Sequence, residues 1–248
     1  MRIRGALHAH STLSRDGTMT IAELARYFKQ KGYQFLAMGE HAEDLNERKV
    51  QELRDQSAAN SDHQFCIIPG IEFAVTRQIH IVGIGVVNLI ALENPVYVAS
   101  KIRELGGFSI LAHPTRCNWN CPPEVLLVLD AAEIWNIGYD GKFLPSAKAL
   151  PGFKRMQEVN PKLLAVASHD FHRQASFYDV AIEMDSASLS PNGILEDLKR
   201  GAYEVRSRFF SCDSRDGVSP ARAALVRHLS SGLQRMRQAR SGFVRRLV

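Results

Sequence analysis

No stretch of this 248-residue chain is apolar for long enough to cross a membrane. A span takes about 18 residues, whereas the first apolar run, Ile3 to Leu7, contains Arg4, follows Arg2 and shows no cleavable signal pattern. A soluble, cytoplasmic protein is expected. Cysteine is scarce: Cys66, Cys117, Cys121 and Cys212 are too few and too scattered for a disulfide framework. No second Cys or His pair follows Cys117 and Cys121 at zinc-finger spacing, so these read as ordinary reduced thiols. Internal repeats and low-complexity tracts are absent, which excludes solenoids and disordered arrays. Acidic residues are missing from Gly217 onward, where seven arginines fall. The net charge of +5 is therefore a property of the tail, and the first 216 residues carry a net −2.

What is present is ordinary globular material, 45% apolar and 23% charged, in a chain of the length of one (β/α) barrel. Short apolar runs alternate with helical patterns. Thr20 caps a helix to about Lys31, with Glu23 at the capping-box position and Ile21, Leu24, Ala25 and Phe28 as its stripe. Further helices are expected at about 46–59, 95–105, 145–159 and 191–200. Strands are expected at Ile3–Leu7, Tyr33–Met38, Phe65–Phe73, Gln78–Val87, Gly107–His113, Leu126–Trp135, Lys162–Ser168 and Val180–Met184. This alternation predicts parallel βα units with a site at the C-terminal mouth.

The runs share one oddity: they hold or end in imidazoles and carboxylates. His8 and His10 stand two apart on a strand, which places both on one face, and Asp16 follows on a turn closed by Gly17. His41 ends the second run, Glu72 is embedded in the third, His80 interrupts the fourth and His113 ends the fifth. Asp170 and His172 follow Ser168. Burying such groups is costly unless each is paired or binds metal. Nine donors exceed the needs of one tetrahedral ion, so they point to a multinuclear site with a carboxylate bridging two ions. His63 and His228 lack this context, and His169, out of phase with Asp170, reads as a support and not a ligand.

In motif order the chain resembles the polymerase and histidinol phosphatase (PHP) superfamily. The resemblance rests on Leu7-His8-Ala9-His10-Ser11 with the turn Ser14-Arg15-Asp16-Gly17, on Glu40-His41, and on Pro69-Gly70-Ile71-Glu72. It continues through His80, Ala112-His113-Pro114, Glu133-x-x-Asn136 and Asp170-x-His172, over about residues 1–205. Ala6 and Glu40 depart from the commoner pattern, at positions that are not ligands. The resemblance implies a distorted (β/α)7 TIM-like barrel holding two to three divalent ions, zinc, manganese or iron. One ion takes His8, His10, Glu72 and Asp170. A second shares Glu72 and adds His80 and His113, and a third takes Asp16, His41 and His172.

A water between cations would lose its proton near neutral pH and attack phosphorus, with Glu72 and Asp170 as the catalytic carboxylates. Arg116 and Arg173, just after two ligand segments, are candidates for bidentate phosphate contacts. Two functions compete: hydrolysis of a phosphomonoester of a small molecule, nucleotide or oligonucleotide end, and an accessory or nuclease-like module that binds nucleic acid or a protein. Residues 206–248 form a separate basic extension beyond a 1–205 barrel. In it a helix over 219–248 carries an apolar stripe of Leu225, Leu229, Leu233, Met236, Phe243 and Leu247. That stripe packs on the barrel or on a second copy, or its arginines meet nucleic acid or anionic lipid.

Overall fold

The computed structural model describes residues 1–215, 217–219, 221 and 223–232. Its strands are β1 (Arg2–Ala9), β2 (Phe35–Met38), β3 (Glu40–His41), β4 (Cys66–Ile68), β5 (Gly70–Ala74), β6 (His80–Ile84), β7 (Phe108–Ala112), β8 (Ala131–Asn136), β9 (Leu164–Ser168), β10 (Val180–Asp185), β11 (Tyr203–Ser207) and β12 (Ser211–Asp213). Between them lie α1 (Ile21–Gln30), α2 (Glu47–Ala59), α3 (Pro95–Glu104), α4 (Pro123–Leu126), α5 (Ile137–Asp140), α6 (Ala149–Val159) and α7 (Pro191–Arg200). Except at α4 and α6, the helices start where the chain supplies side-chain oxygens for their free N–H groups. Thr20 and Glu23 form the expected capping box, and Asn46, Asn94 and Ser190 cap α2, α3 and α7.

The fold is mixed α/β, with two six-stranded sheets ordered β12-β11-β10-β1-β2-β4 and β3-β5-β6-β7-β8-β9. The two sheets run into each other. Gly39 alone separates β2 from β3, and Pro69 alone separates β4 from β5. On the far side, His169 N donates to Leu7 O (3.1 Å), Phe171 N to His8 O (3.0 Å) and His10 N to Phe171 O (2.8 Å), so the segment after β9 lies along the end of β1.

The expectation of parallel βα units holds for β1–β2–β4, β3–β5 and β7–β8–β9 and needs correcting elsewhere. β6 runs antiparallel to both β5 and β7, because β5 and β6 are joined by a turn, Val75 to Ile79, too short for a helical crossover. β10 is antiparallel to β1 and β11. The first sheet also continues through β11 and β12, across the boundary expected at 205.

The core fills the space between sheets and helices with Trp135, Phe35, Phe73, Phe108 and Phe171, all fully buried. Residues 223–232 are helical. Their buried side is Val226 and Ser230, whose hydroxyl donates to Pro145 O at 2.7 Å, so this helix packs on its own chain. The expected stripe is corrected at its start: Leu225 and Leu229 sit one residue off the buried side and are 58% and 47% exposed. The rest of it, Leu233 to Leu247, and the arginines from Arg235 on lie outside the described residues. No helix among the described residues is long and apolar enough to cross a membrane.

Candidate metal centre

The nine predicted donors come together from β1 and the turn after it, β3, β5, β6, the end of β7 and the segment after β9. Their approach is set by backbone irregularity as much as by strand alternation. β1 slips register between Ala6 and Ala9, with His8 at φ 63°, and His113 and Asp170 also occupy positive φ, at 31° and 47°. Such backbone costs about 1–3 kcal/mol per residue and clusters where function demands it. The rings of His8 and His10 end 5.0 Å apart, and His10 stacks on His172 at 4.1 Å. The turn carrying Asp16 closes backbone on backbone: a Cβ at Gly17 would lie 2.0 Å from Ser11 O, so only glycine passes there.

Glu72 is the centre of the arrangement. Oε1 lies 2.9 Å from His80 Nδ1 and 3.0 Å from His113 Nε2. Oε2 lies 3.1 Å from His41 Nδ1, 3.4 Å from His8 Nε2 and 3.8 Å from His10 Nε2. One buried carboxylate thus faces two sets of histidines, one on each oxygen. Asp170 Oδ1 adds contacts of 3.4 Å to His10 and 3.6 Å to His8. Asp16 lies 3.3 Å from His41 Nε2 and 3.4 Å from His172 Nε2. Among the described residues the donor atoms form three groups of metal-binding dimensions: His8, His10 and Glu72; Glu72, His80 and His113; and His10, Asp16, His41 and His172. The mouth is a cleft of about 460 Å³ whose lining also includes Arg77, Arg116 and Tyr139.

The protein's own hydrogen bonds do not satisfy this cluster. His8 Nδ1 meets Glu133 Oε1 at 2.9 Å and serves as donor there, which leaves the lone pair of Nε2 aimed at Glu72 and Asp170, acceptor against acceptors. His8 Nε2, both ring nitrogens of His10 and His113 Nδ1 are buried without a hydrogen-bond partner. A cation removes the conflict, and nitrogen and carboxylate oxygen are the donors that zinc, manganese and iron accept. Without one, protons must do so. Burial works to lower the pKa of His8, but Asp170, Glu72 and Glu133 outweigh it and hold the ring well above its ordinary value. Burial likewise works to raise Glu72, yet His8, His113 and His41 hold it well below the usual carboxylate range. His10, where burial dominates, is pushed down to about 4 and so stays neutral, as a ligand must.

No family model matches the chain. A DNA polymerase/3'-5' exonuclease PolX of Bacillus subtilis is 35% identical over 82 residues, which cover 30% of this chain and 14% of that protein. The crystal structure of a two-domain protein from Bacteroides vulgatus, containing a predicted PHP-like metal-dependent phosphoesterase, superposes with TM-score 0.61 at 16% identity, over 83% of this chain and 65% of that one. A lesion-specific endonuclease of Pyrococcus furiosus superposes with TM-score 0.57 at 14% identity, over 89% and 60%. The chain therefore spans less than two thirds of the length of each of these relatives. In fold the chain is similar to the two solved structures, the first of which contains a predicted PHP-like phosphoesterase.

Two carboxylates support the donors without joining them. Glu133 takes His8 Nδ1 on Oε1, and on Oε2 accepts from His113 N (2.6 Å) and Asn136 Nδ2 (2.8 Å), which gives the Glu133-x-x-Asn136 motif a physical task. Glu40, fully buried, accepts from Ser11 N (2.9 Å) and Ser14 Oγ (2.5 Å), and the same hydroxyl accepts from His41 N (3.0 Å). The departure at Glu40 thus ties the Asp16 turn to the strand that bears His41.

The two predicted arginines part company. Arg116 lines the mouth, where its guanidinium donates to Arg77 O at 2.7 Å. Arg173 is exposed and lines a neighbouring depression with Gly138 and Lys142, because the chain turns away into Gln174–Ser176 directly after His172. Arg77 and Tyr139 were invisible in the sequence, since only tertiary packing brings the turn between β5 and β6, which carries Arg77, and the short helix α5, which carries Tyr139, to the mouth.

Proposed function

We propose that the chain is a metal-dependent phosphoesterase that hydrolyses phosphomonoesters at a site for three divalent ions. The observation that carries this reading is Glu72, a buried carboxylate with His80 and His113 on one oxygen and His8, His10 and His41 on the other, the disposition of a bridging ligand. His8, His10, Glu72 and Asp170 would hold the first ion, Glu72, His80 and His113 the second, and Asp16, His41 and His172 the third. When bound, such ions supply Lewis acidity, acidifying a water nucleophile and neutralising phosphate charge.

The chain's own part is to position and to exclude. Glu133 fixes the tautomer of His8, so that its lone pair points inward. Arg116, pinned by the Arg77 carbonyl, presents its remaining donors to phosphate oxygens at the rim. Glu40 holds the turn that carries Asp16. The bonds from His169 and Phe171 to β1 support wrapping of the two sheets into a distorted seven-stranded barrel, which would keep the donors at a single mouth.

A nuclease-like reading draws on the similarity to the Pyrococcus furiosus endonuclease and on the arginine-rich tail. Turnover separates the two. Manganese-loaded protein should release phosphate from small phosphomonoesters at a rate that Glu72→Gln abolishes. Cleavage of oligonucleotides with no action on any small phosphomonoester would favour the nuclease.

A further inference from the structure

We propose that the cavity between α5 and α6 binds a single uncharged aromatic ring, the organic part of a phosphoester whose phosphate occupies the adjoining donor cleft. The phosphate half of this assignment rests on the phosphoesterase reading; the ring half rests on the cavity itself. The cavity measures about 190 Å³, and its apolar wall is Tyr139, Phe143, Leu144, Pro145 and Ala147. An apolar cavity of about 150 Å³ accepts benzene, so this one has room for one ring with a small substituent.

Its position ties it to the donors. Tyr139 lines both the cavity and the cleft, with its ring 4.6 Å from that of His113, and shares the cleft with Arg116. Thr115, the neighbour of Arg116 in the chain, lines the cavity as well. A group leaving phosphorus at the cleft therefore finds, across the Tyr139 ring, a cavity walled on one side by apolar side chains.

Three features select an uncharged ring. Tyr139 and Phe143 are 46% and 47% exposed, large aromatic surfaces at the rim of a concave site, and aromatic faces and edges pack best against another ring. Phe143 is held edge-on to Tyr178, at 5.5 Å between centroids, so it does not have to be ordered on binding. The carboxylate in the wall is already engaged: Asp140 accepts from Thr115 Oγ1 (2.7 Å) on one oxygen and from Asn136 N (3.0 Å) on the other. Ser230, bonded to Pro145 O, closes the side formed by the helix over 223–232.

Fluorine NMR of 4-fluorophenol with the full-length chain, with and without chelator, tests the ring site apart from any turnover. The phenol should bind in both conditions, and Ala147→Trp, which fills the cavity, should weaken binding about tenfold or more. Phe143→Ala, at an exposed position whose loss leaves the core intact, should weaken it in the same direction and covers the case in which the larger side chain is not accommodated. In manganese-loaded protein the ratio of kcat/KM for phenyl phosphate over methyl phosphate should fall in parallel. Absence of phenol binding, or equal binding in wild type and in folded Ala147→Trp and Phe143→Ala, overturns the proposal. Phenol binding that both variants weaken, without hydrolysis of any phosphomonoester, leaves the ring site standing and removes the phosphoesterase reading instead.

Discussion

His8 and Glu133 face each other at 2.9 Å with no solvent exposure on either side, and this contact fixes which nitrogen of the histidine faces the other donors. The carboxylate claims Nδ1–H, so Nε2 is committed to the side of Glu72 and Asp170. Supports of this kind typically change metal affinity by about 10–100-fold when removed. Glu133→Gln should therefore lower the affinity for the ion at His8 by that order, read by calorimetric titration, while circular dichroism stays native. Unchanged affinity would mean that His8 does not depend on Glu133 for its orientation.

Most of the candidate site was legible because imidazoles and carboxylates inside apolar runs are costly without a purpose, and that argument needs no structure. It found His41 and His113 at the ends of apolar runs and Glu72 and His80 within them; in the structure Glu72 is central in β5 and His80 opens β6. It reached His8 and His10 for an incomplete reason: alternation along a regular strand predicts a shared face, whereas β1 slips register and His8 takes positive φ. The backbone bonds from His169 and Phe171 that lie along this slip come from more than 150 residues away, so no local pattern announces them. The direction of β6 was hidden for a similar reason, since apolar runs carry no sign of parallel or antiparallel pairing. Leu225 and Leu229 mark the limit of periodicity, which finds a stripe but not which neighbouring side the rest of the fold will cover.

Metal content and stability should move together. Gently purified or manganese-reconstituted protein is expected to carry two to three ions per chain by elemental analysis. An ion present at about 100 times its Kd stabilises the folded state by about 2.7 kcal/mol. For a chain of this size that corresponds to roughly 5–10 °C in Tm. Chelation should cost at least that much, since Glu72 and Asp170 are left among histidines with only protons to neutralise them. One ion or fewer after reconstitution would exclude the three-ion site.

The metal-free protein should have an unusual pH profile. Burial opposes the charge on His41, but its contacts with Glu72 and Asp16 prevail and raise it to about 9. A histidine raised in the folded state stabilises fully below its unfolded value of about 6.5, and that contribution is lost as pH climbs toward 9. His8, also raised, adds to the same trend. Glu72 and Asp170, both depressed, contribute above the ordinary carboxylate range and lose that contribution in acid. His10, pushed down to about 4, costs stability as pH falls below about 6.5, so thermal melts in chelator should peak near pH 6 and fall toward pH 9. Metal-loaded protein, whose ligand histidines must be neutral, should lack the alkaline decline. A flat metal-free profile from pH 6 to 9 would show that these histidines are not held charged by their carboxylates.

The sharpest division of labour lies between Glu72 and Asp16. Glu72 contacts five histidines on its two oxygens and is buried, whereas Asp16 contacts only His41 and His172 and its side chain is 48% exposed. Glu72→Gln exchanges one oxygen for an amide with no lone pair and removes the negative charge shared by two histidine sets, so it should disturb two ions at once. Asp16→Asn keeps one acceptor oxygen at the rim and touches only the third group. Both changes are nearly isosteric, and both proteins should fold. Phosphomonoester turnover should fall further in Glu72→Gln by about a factor of ten or more, with a parallel loss of bound metal beyond one equivalent. Equal losses would place the essential ion at Asp16, His41 and His172, and would move the centre of the chemistry from the buried carboxylate to the rim.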